Sequence, residues 1–268
     1  MPGKVDLYDG EYGNYESDIY RQVRIETYGV DFGQTSWVTT EESAQIPRLL
    51  ALTSKSLVLE IGCGSGVYAL HIAQTIGCGV TGLDINPLGI RNANQLARST
   101  GIAGHVRFQV CDVSQPLPFA DEAFDAVFSN DVVCHIPGRP SLLAEMYRVL
   151  KPGVGRMLFS DALVIGGIIS HDEVAIRSSI GFYLFSPPGE NERLILQAGF
   201  TELHVTDTTE HAARIAGRWH EARQKYKDRL IAVEGESTWA GLQRFLAGVR
   251  TLTEERRLLR PLYEARKA

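Results

Sequence analysis

A glycine-rich turn between an apolar strand and a helix constrains this 268-residue chain more than any other feature. The apolar run Leu57–Ile61 leads directly into the sequence Glu60-Ile61-Gly62-Cys63-Gly64-Ser65-Gly66, and residues 67–73 then read as a helix. Glycines permit a tight turn and let a ligand approach the backbone closely. Because the following helix presents its amino-terminal end to that ligand, the pattern predicts an α/β domain with a binding site at this turn.

Strands and helices alternate from Leu57 to Ser160. Four further strands are predicted, at residues 80–83, 106–110, 124–129 and 156–160. Asn86 is a good N-cap and Pro87 suits a first helical turn, so a helix is predicted from there to about Ser99. Another helix is predicted over 140–150, where Lys151-Pro152-Gly153 ends it. This alternation predicts a parallel, doubly wound sheet.

The remainder of the chain is organised differently. Residues 162–200 form a mixed segment, and strands are predicted at 202–206 and 261–266. Between these strands, apolar residues three or four apart predict one amphipathic helix over 208–232, and Ser237 is a candidate N-cap of another helix. Such a helical insertion before the last strand would form a lid over a ligand. Basic residues of the long helix are expected on a solvated face. They are Arg214, Arg218, Arg223, Lys225, Lys227 and Arg229.

Composition and charge exclude several classes of partner. The net charge of −5 lacks the basic surplus with which nucleic-acid binders meet phosphate. Residues 1–14 lack the basic and apolar regions of a secretory signal, and no apolar run approaches the roughly 20 residues of a membrane helix. We therefore expect a cytoplasmic protein without a nucleic-acid or membrane partner. Four cysteines without metal-site or redox spacing are expected to be small buried apolar residues. They are Cys63, Cys78, Cys111 and Cys134.

Polar residues stand at the ends of the strands that follow the turn. Asp84 ends the second strand, where a carboxylate can accept hydrogen bonds from both hydroxyls of a ribose. Asp112 and Val113 follow the third strand, where a carboxylate can meet an adenine amino group and an apolar side chain can pack on the ring. Asn130 and Asp131 end the fourth strand, at the crevice where open α/β sheets bind ligands. These acids are spaced for a nucleoside, and no metal site is implied.

The spacing of the glycines separates two cofactor classes. A dinucleotide fingerprint has its third glycine at the sixth position, but Val67 takes that position here and the third glycine comes one residue earlier, at Gly66. The run from Glu60 to Gly66, together with Gly82-Leu83-Asp84 and Lys151-Pro152-Gly153, resembles class I S-adenosylmethionine (SAM)-dependent methyltransferases over roughly residues 55–162. The resemblance implies SAM as the methyl donor and S-adenosylhomocysteine (SAH) as the product.

The resemblance also implies a fold and a set of cofactor contacts. The fold is a doubly wound, seven-stranded Rossmann-like sheet with a helical lid segment over residues 1–50. The SAM-binding domain spans 51–268, with substrate-lid elements at about 162–200 and 208–257. The implied cofactor contacts are Tyr28, Trp37, Glu60, Gly62, Cys63, Gly64, Gly66, Asp84, Ile85, Asp112, Val113 and Asn130.

Two further stretches resemble one branch of these enzymes, the phosphoethanolamine methyltransferases and the sarcosine/dimethylglycine N-methyltransferases. That branch has a Ser-x-Asp-x-x-x-His run, matched by residues 129–135, and two tyrosines eight residues apart with Phe-Gly soon after, matched by Tyr20 and Tyr28. In the phosphoethanolamine enzymes the His and the upstream Tyr form a dyad that closes over the site and helps deprotonate the acceptor. The resemblance therefore implies His135 and Tyr20 as the catalytic pair, and a His that titrates near neutrality suits this task.

Other residues near this run are candidates for the acceptor site. Asp131 is a candidate for positioning the substrate or holding His135. The phosphoethanolamine enzymes carry an Arg for the substrate phosphate, but the matching position here is around Gly181, which argues against phosphocholine synthesis. Arg177, close by in sequence, is a candidate ligand for a carboxylate or another anion, and Tyr183 is a further candidate substrate contact.

Structural roles compete with several of these assignments. His135 could bond a backbone carbonyl beneath a loop, Tyr20 could pack on an N-terminal helix, and Trp37 could belong to the core. The leading function is methyl transfer to the nitrogen of a small amine or amino acid. The alternatives are O- or C-methylation of a secondary metabolite such as a phenol, a sugar or a prenyl compound, and a SAM-binding module without catalysis.

Overall fold

Seven strands form one sheet across the middle of the molecule, in the order β3-β2-β1-β4-β5-β9-β7. The computed structural model describes residues 7–31 and 33–268. Two short strands, β6 and β8, pair with each other outside this sheet. The nine strands are β1 (Leu57–Ile61), β2 (Gly79–Asp84), β3 (Val106–Val110), β4 (Ala126–Asn130), β5 (Arg156–Ser160), β6 (Val164–Ile165), β7 (Phe200–Asp207), β8 (Leu258–Leu259) and β9 (Pro261–Lys267).

The seven-stranded fold predicted from the sequence is confirmed, but the sheet is not parallel throughout. Strands β1 to β5 are all parallel to one another, whereas β9 runs antiparallel to both β5 and β7. The reason lies in β8, which pairs with β6 just beyond the carboxyl end of β5. The chain therefore re-enters the sheet from its carboxyl edge, and β9 must point the opposite way.

Eleven α-helices are present among the described residues. The predicted helix after Asn86 is confirmed, and the Asn86 side chain caps it by accepting hydrogen bonds from the backbone of Leu88 and Gly89. The helices are α1 (Leu7–Gly13), α2 (Asp18–Tyr28), α3 (Thr40–Leu49), α4 (Val67–Ile76), α5 (Pro87–Ser99), α6 (Arg139–Val149), α7 (His171–Arg177), α8 (Glu190–Gln197), α9 (Thr209–Lys225), α10 (Lys227–Glu234) and α11 (Glu236–Glu254).

The predicted helical insertion between the last two long strands is confirmed, with two corrections. The single helix expected over 208–232 is two helices, α9 and α10, that meet at Tyr226. The break folds α10 back so that Glu234 forms an ion pair with Arg223, which is therefore buried and not on a solvated face. Ser237 does not cap the next helix, because Gly235 holds that position and Ser237 lies in the first turn.

Apolar side chains cover both faces of the sheet and a third layer above its carboxyl edge. Consecutive strand residues point to opposite faces, so Val58 packs towards α3, α4 and α5 while Leu59 packs towards α6 and α8. The third cluster joins α2, α9 and α11 around Trp219 and Phe245. This cluster places the N-terminal segment and the insertion on the same side of the molecule. In the described ranges, no helix combines the length and apolar character that crossing a membrane requires.

Candidate active site

A cavity of about 530 Å³ opens where β1, β2, β3 and β4 end. The glycine-rich turn and the residues after each strand line its floor, and Tyr8 and Tyr12 of α1 line it from the other side. The segment 35–37 and residues 180–183 complete the wall. The cavity thus lies in the crevice where open α/β sheets bind ligands, as the sequence predicted.

The glycine-rich turn leaves no room for side chains beside the cavity. Gly64 has a φ of 52°, and a Cβ built there would lie 2.5 Å from the Tyr12 hydroxyl oxygen. The backbone N–H of Gly64 donates to Asp84 Oδ2 at 2.7 Å. Gly62 and Cys63 also line the cavity. The turn therefore brings backbone, rather than side chains, against any occupant.

Residues at the ends of β2 and β3 line the adjacent wall. The Asp84 carboxylate accepts backbone hydrogen bonds from Gly64 and Asn86, and burial raises the pKa of this carboxyl. Its oxygens can accept further hydrogen bonds, because each carries more than one lone pair. Ile85, Asp112 and Val113 line the same wall, with Ile85 well exposed. These four predicted cofactor contacts are brought together.

Asn130 presents a buried amide at the cavity. It ends β4 and lines the cavity, and neither Oδ1 nor Nδ2 has a hydrogen-bond partner among the described residues. Buried amide groups in proteins are normally hydrogen-bonded. The amide is therefore available to a polar ligand in the cavity.

Three predicted cofactor contacts lie outside the cavity and support its walls. Glu60 Oε2 accepts from the backbone N–H of Ala69 at 3.1 Å, and burial raises the pKa of the Glu60 carboxyl. Gly66, with a φ of 76°, lies where a Cβ would come within 2.7 Å of Ala93 and Phe108. Tyr28 donates its hydroxyl hydrogen to the carbonyl of Ser36 at 2.8 Å. Phe32, in the matched Phe-Gly pair, lies outside the described residues.

The Asp131 carboxylate holds the cavity wall together. Its Oδ2 accepts from the backbone N–H of Trp37 at 2.9 Å, and its Oδ1 accepts from Ser160 Oγ at 2.9 Å and Arg260 Nε at 2.7 Å. Arg260 also pairs with Glu42. Asp131 therefore fixes the segment that carries Trp37, and these bonds occupy the carboxylate that was expected to hold His135 or the substrate.

His135 faces the cavity between a carbonyl and a tyrosine. Its Nδ1 lies 2.8 Å from the Phe182 carbonyl oxygen, and its Nε2 lies 3.0 Å from the Tyr8 hydroxyl. A carbonyl can only accept, so Nδ1–H donates to it, and the Nε2 lone pair accepts from Tyr8 O–H. Burial is the main cause that lowers the pKa of His135 to about 4. The ring is therefore neutral near pH 7.

The tyrosine beside His135 is Tyr8, which sequence reasoning missed. Tyr20, the expected partner, lies outside the cavity and donates its hydroxyl hydrogen to Glu234 Oε2 at 2.7 Å. Tyr8 and Tyr12 are four residues apart, so they share one face of α1, and both line the cavity. That spacing was the available signal for an aromatic face in the N-terminal segment.

The two candidate substrate residues, Arg177 and Tyr183, both line the cavity. The Tyr183 ring centroid lies 4.3 Å from that of His135, and the Arg177 guanidinium lies 4.5 Å from the Tyr183 ring. The structure therefore brings both residues to the His135 side of the cavity. In the described part of the chain, no group of three or more His, Cys, Asp or Glu residues is arranged to hold a metal ion.

Comparisons with known proteins agree with this geometry. A sequence model of the family described as "Methyltransferase domain" matches residues 59–159. "O-methyltransferase resE" of Aspergillus sclerotiorum is 30% identical over 206 residues, which cover 76% of this chain and 74% of that protein. "Phosphoethanolamine N-methyltransferase 3" of Arabidopsis thaliana is 28% identical over 216 residues, which cover 81% of this chain and 42% of that protein.

A solved structure shows the same fold. It is a "putative sarcosine dimethylglycine methyltransferase from Galdieria sulphuraria", with a TM-score of 0.76, 19% identity, and coverage of 85% of this chain and 84% of that one. The chain spans between 42% and 60% of the length of the first curated relatives that it matches. The family match, the 30% identical relative and the seven-stranded fold together show that this chain belongs to the class I SAM-dependent methyltransferases.

Proposed function

We propose that this protein transfers the methyl group of SAM to the nitrogen of a small amine or amino acid. The observation that carries the proposal is the neutral His135, whose Nε2 accepts a hydrogen bond from Tyr8 inside the cavity. An amine must lose a proton around the time that it attacks a methyl group. A neutral imidazole at the wall of the same cavity supplies the base.

The residues at the strand ends fit the cofactor. SAM supplies an electrophilic methyl group on a sulfonium sulfur. The unbonded Asn130 amide and the Asp84 and Asp112 carboxylates offer acceptors and donors for its polar groups, and the turn at Gly62 and Gly64 offers backbone contact. We assign cofactor binding to these residues together with Cys63, Ile85, Val113 and Trp37. Glu60, Gly66 and Tyr28 support that site indirectly through the contacts described above.

Tyr8 and His135 form a path for the acceptor's proton. Because the Tyr8 O–H donates to Nε2, the Tyr8 oxygen can take a proton from the acceptor nitrogen while its own proton moves to Nε2. Burial raises the pKa of Tyr8, so the hydroxyl holds a proton to pass on. The Phe182 carbonyl stabilises the imidazolium that forms, because it accepts from Nδ1–H. Positioning the acceptor in this cavity supplies further acceleration.

O-Methylation is the second candidate, and one observation favours it. The relative of which this chain covers 74% is named an O-methyltransferase. A base at the cavity wall would deprotonate a hydroxyl as well as an ammonium group. The nitrogen acceptor is preferred because the matched run at residues 129–135 and the matched tyrosines belong to N-methyltransferases.

The test is transfer of labelled methyl from SAM to a panel of acceptors. The panel contains glycine, sarcosine, dimethylglycine, ethanolamine, phosphoethanolamine, simple phenols and prenyl diphosphates. We expect transfer to an amine, and a loss of roughly 100-fold or more in kcat for His135→Asn. The exposed His105 provides the control, since His105→Asn should retain full activity. Transfer only to a phenol or a prenyl compound would replace the N-methyltransferase assignment.

A further inference from the structure

Arg177 carries a buried positive charge without a carboxylate partner. The residue ends α7 and is 1% exposed, and its Nε and Nη1 have no hydrogen-bond partner among the described residues. Removing a guanidinium from water costs several kcal/mol unless an opposite charge compensates it. Such a group in a cavity wall therefore points to a missing ligand.

Other buried arginines of the described ranges have a carboxylate. These arginines show how the charge of a buried guanidinium with a structural role is compensated in this fold. In each case a carboxylate oxygen lies within ion-pair distance of the guanidinium. The pairs are Arg24–Asp31, Arg139–Asp161, Arg223–Glu234 and Arg260–Asp131. Arg177 forms no such pair with any described residue, so internal charge pairing does not account for its burial.

Three aromatic rings hold the Arg177 guanidinium in place. Its carbon Cζ lies 4.5 Å from the centroid of Tyr183, 5.1 Å from that of Phe245 and 5.9 Å from that of Trp37. Contacts of this kind stabilise a desolvated cation, but they offset only part of the cost of burial. Nε and Nη1 nevertheless have no hydrogen-bond partner among the described residues. The rings therefore orient the cation and leave it able to bind an anion.

The open side of Arg177 belongs to the same cavity as the base. Tyr183 lies close to both groups, because its ring centroid is 4.5 Å from Cζ of Arg177 and 4.3 Å from the ring centroid of His135. Among the described residues that line the cavity, Arg177 is the one Lys or Arg, whereas Asp9, Asp84, Asp112 and Asp131 are all acidic. One positive charge among carboxylates matches a singly charged anion better than a phosphate dianion.

We propose that Arg177 binds the carboxylate of the methyl acceptor, which makes the acceptor an amino acid rather than a simple amine or a phosphate ester. The inference rests on the proposed function, since it takes the occupant of this part of the cavity to be the acceptor. A carboxylate at Arg177 directs the attached amine towards Tyr8 and His135. It also neutralises a charge that lowers the pKa of His135, so the base becomes stronger when the acceptor is bound.

Thermal unfolding of the full chain with SAH present tests whether the buried charge of Arg177 is uncompensated. Arg177→Met removes an uncompensated cation, so the melting temperature should stay the same or rise. Arg139→Met leaves Asp161 buried without its cation, so its melting temperature should fall. A melting temperature for Arg177→Met that falls as far as that of Arg139→Met would show a structural arginine and overturn the proposal.

Acetate serves as the carboxylate probe in the same assay. Compared with chloride at equal ionic strength, acetate should raise the melting temperature of the wild-type protein, and Arg177→Met should weaken acetate binding at least tenfold. The exposed Arg91 supplies the control variant Arg91→Met, which should behave as wild type. Equal acetate effects in the wild type and Arg177→Met, including no effect in either, would overturn the proposal, as would tighter binding of phosphate than of acetate.

The methyl-transfer panel separates this inference from the proposed function. Transfer to ethanolamine with an efficiency equal to that of the amino acids would remove the carboxylate requirement and leave N-methylation standing. Acetate binding that depends on Arg177, without transfer to any amine, would leave the anion site standing and remove N-methylation.

Discussion

Tyr8 and Tyr20 are the two candidates for the tyrosine that acts with His135. Removing the hydroxyl group of each in turn distinguishes them. Tyr8→Phe removes the hydroxyl that donates to Nε2, so we expect kcat to fall roughly 100-fold while SAH affinity changes little. Tyr20→Phe removes a hydroxyl that bonds to Glu234 outside the cavity, so kcat should stay within about twofold of wild type. Both are measured with the best acceptor of the panel. A large loss in Tyr20→Phe with none in Tyr8→Phe would restore the assignment made by resemblance.

Helix α1 brings a carboxyl group into a charged cluster between helices. Glu11 is buried, and desolvation raises its pKa to about 7 although Arg223 of α9 and Arg24 of α2 act in the opposite direction. Folding therefore favours the protonated form. The stability that this form contributes is full below the unfolded pKa near 4.5 and is lost as the pH rises through about 7.

The pH dependence of unfolding tests this placement of α1. Between pH 5 and pH 8 the Glu11 group should lower the free energy of unfolding by roughly 3 kcal/mol. Glu11→Gln should remove that part of the decrease, whereas the exposed Glu16→Gln should retain it. Denaturant titrations at both pH values give the free energies. An equal decrease in wild type and Glu11→Gln would show that α1 does not bury this carboxyl.

Elements with local signals were predicted well, and those that depend on distant contacts were not. The strand Leu57–Ile61 and the helix after Asn86 follow from short apolar runs and a capping side chain, which act within a few residues. The break at Tyr226 has no such local signal, since the apolar spacing continues through it. It accompanies the burial of Arg223 against Glu234, a contact made only after the helices fold together.

Across the whole molecule, the floor of the candidate site was predictable and its covering wall was not. Asp84 and Asn130 end their strands and Asp112 follows β3, so the order of strands alone brings them to one edge. Tyr8 bonds to His135, which lies 127 positions further along the sequence. Its position depends on how α1 packs against α5, which spacing within one segment does not determine.

Calorimetric titration of SAH into the wild-type protein and Asn130→Ala tests most directly whether the cavity binds the cofactor. The Asn130 amide has no hydrogen-bond partner among the described residues, so its removal should leave the melting temperature of the ligand-free protein nearly unchanged. Asn94, whose amide donates to the Ile90 carbonyl within its own helix, supplies the control Asn94→Ala. We expect one SAH per chain in the wild type, affinity at least tenfold weaker in Asn130→Ala, and wild-type affinity in Asn94→Ala. Absence of SAH binding to the wild type, or equal affinity in Asn130→Ala, would contradict it.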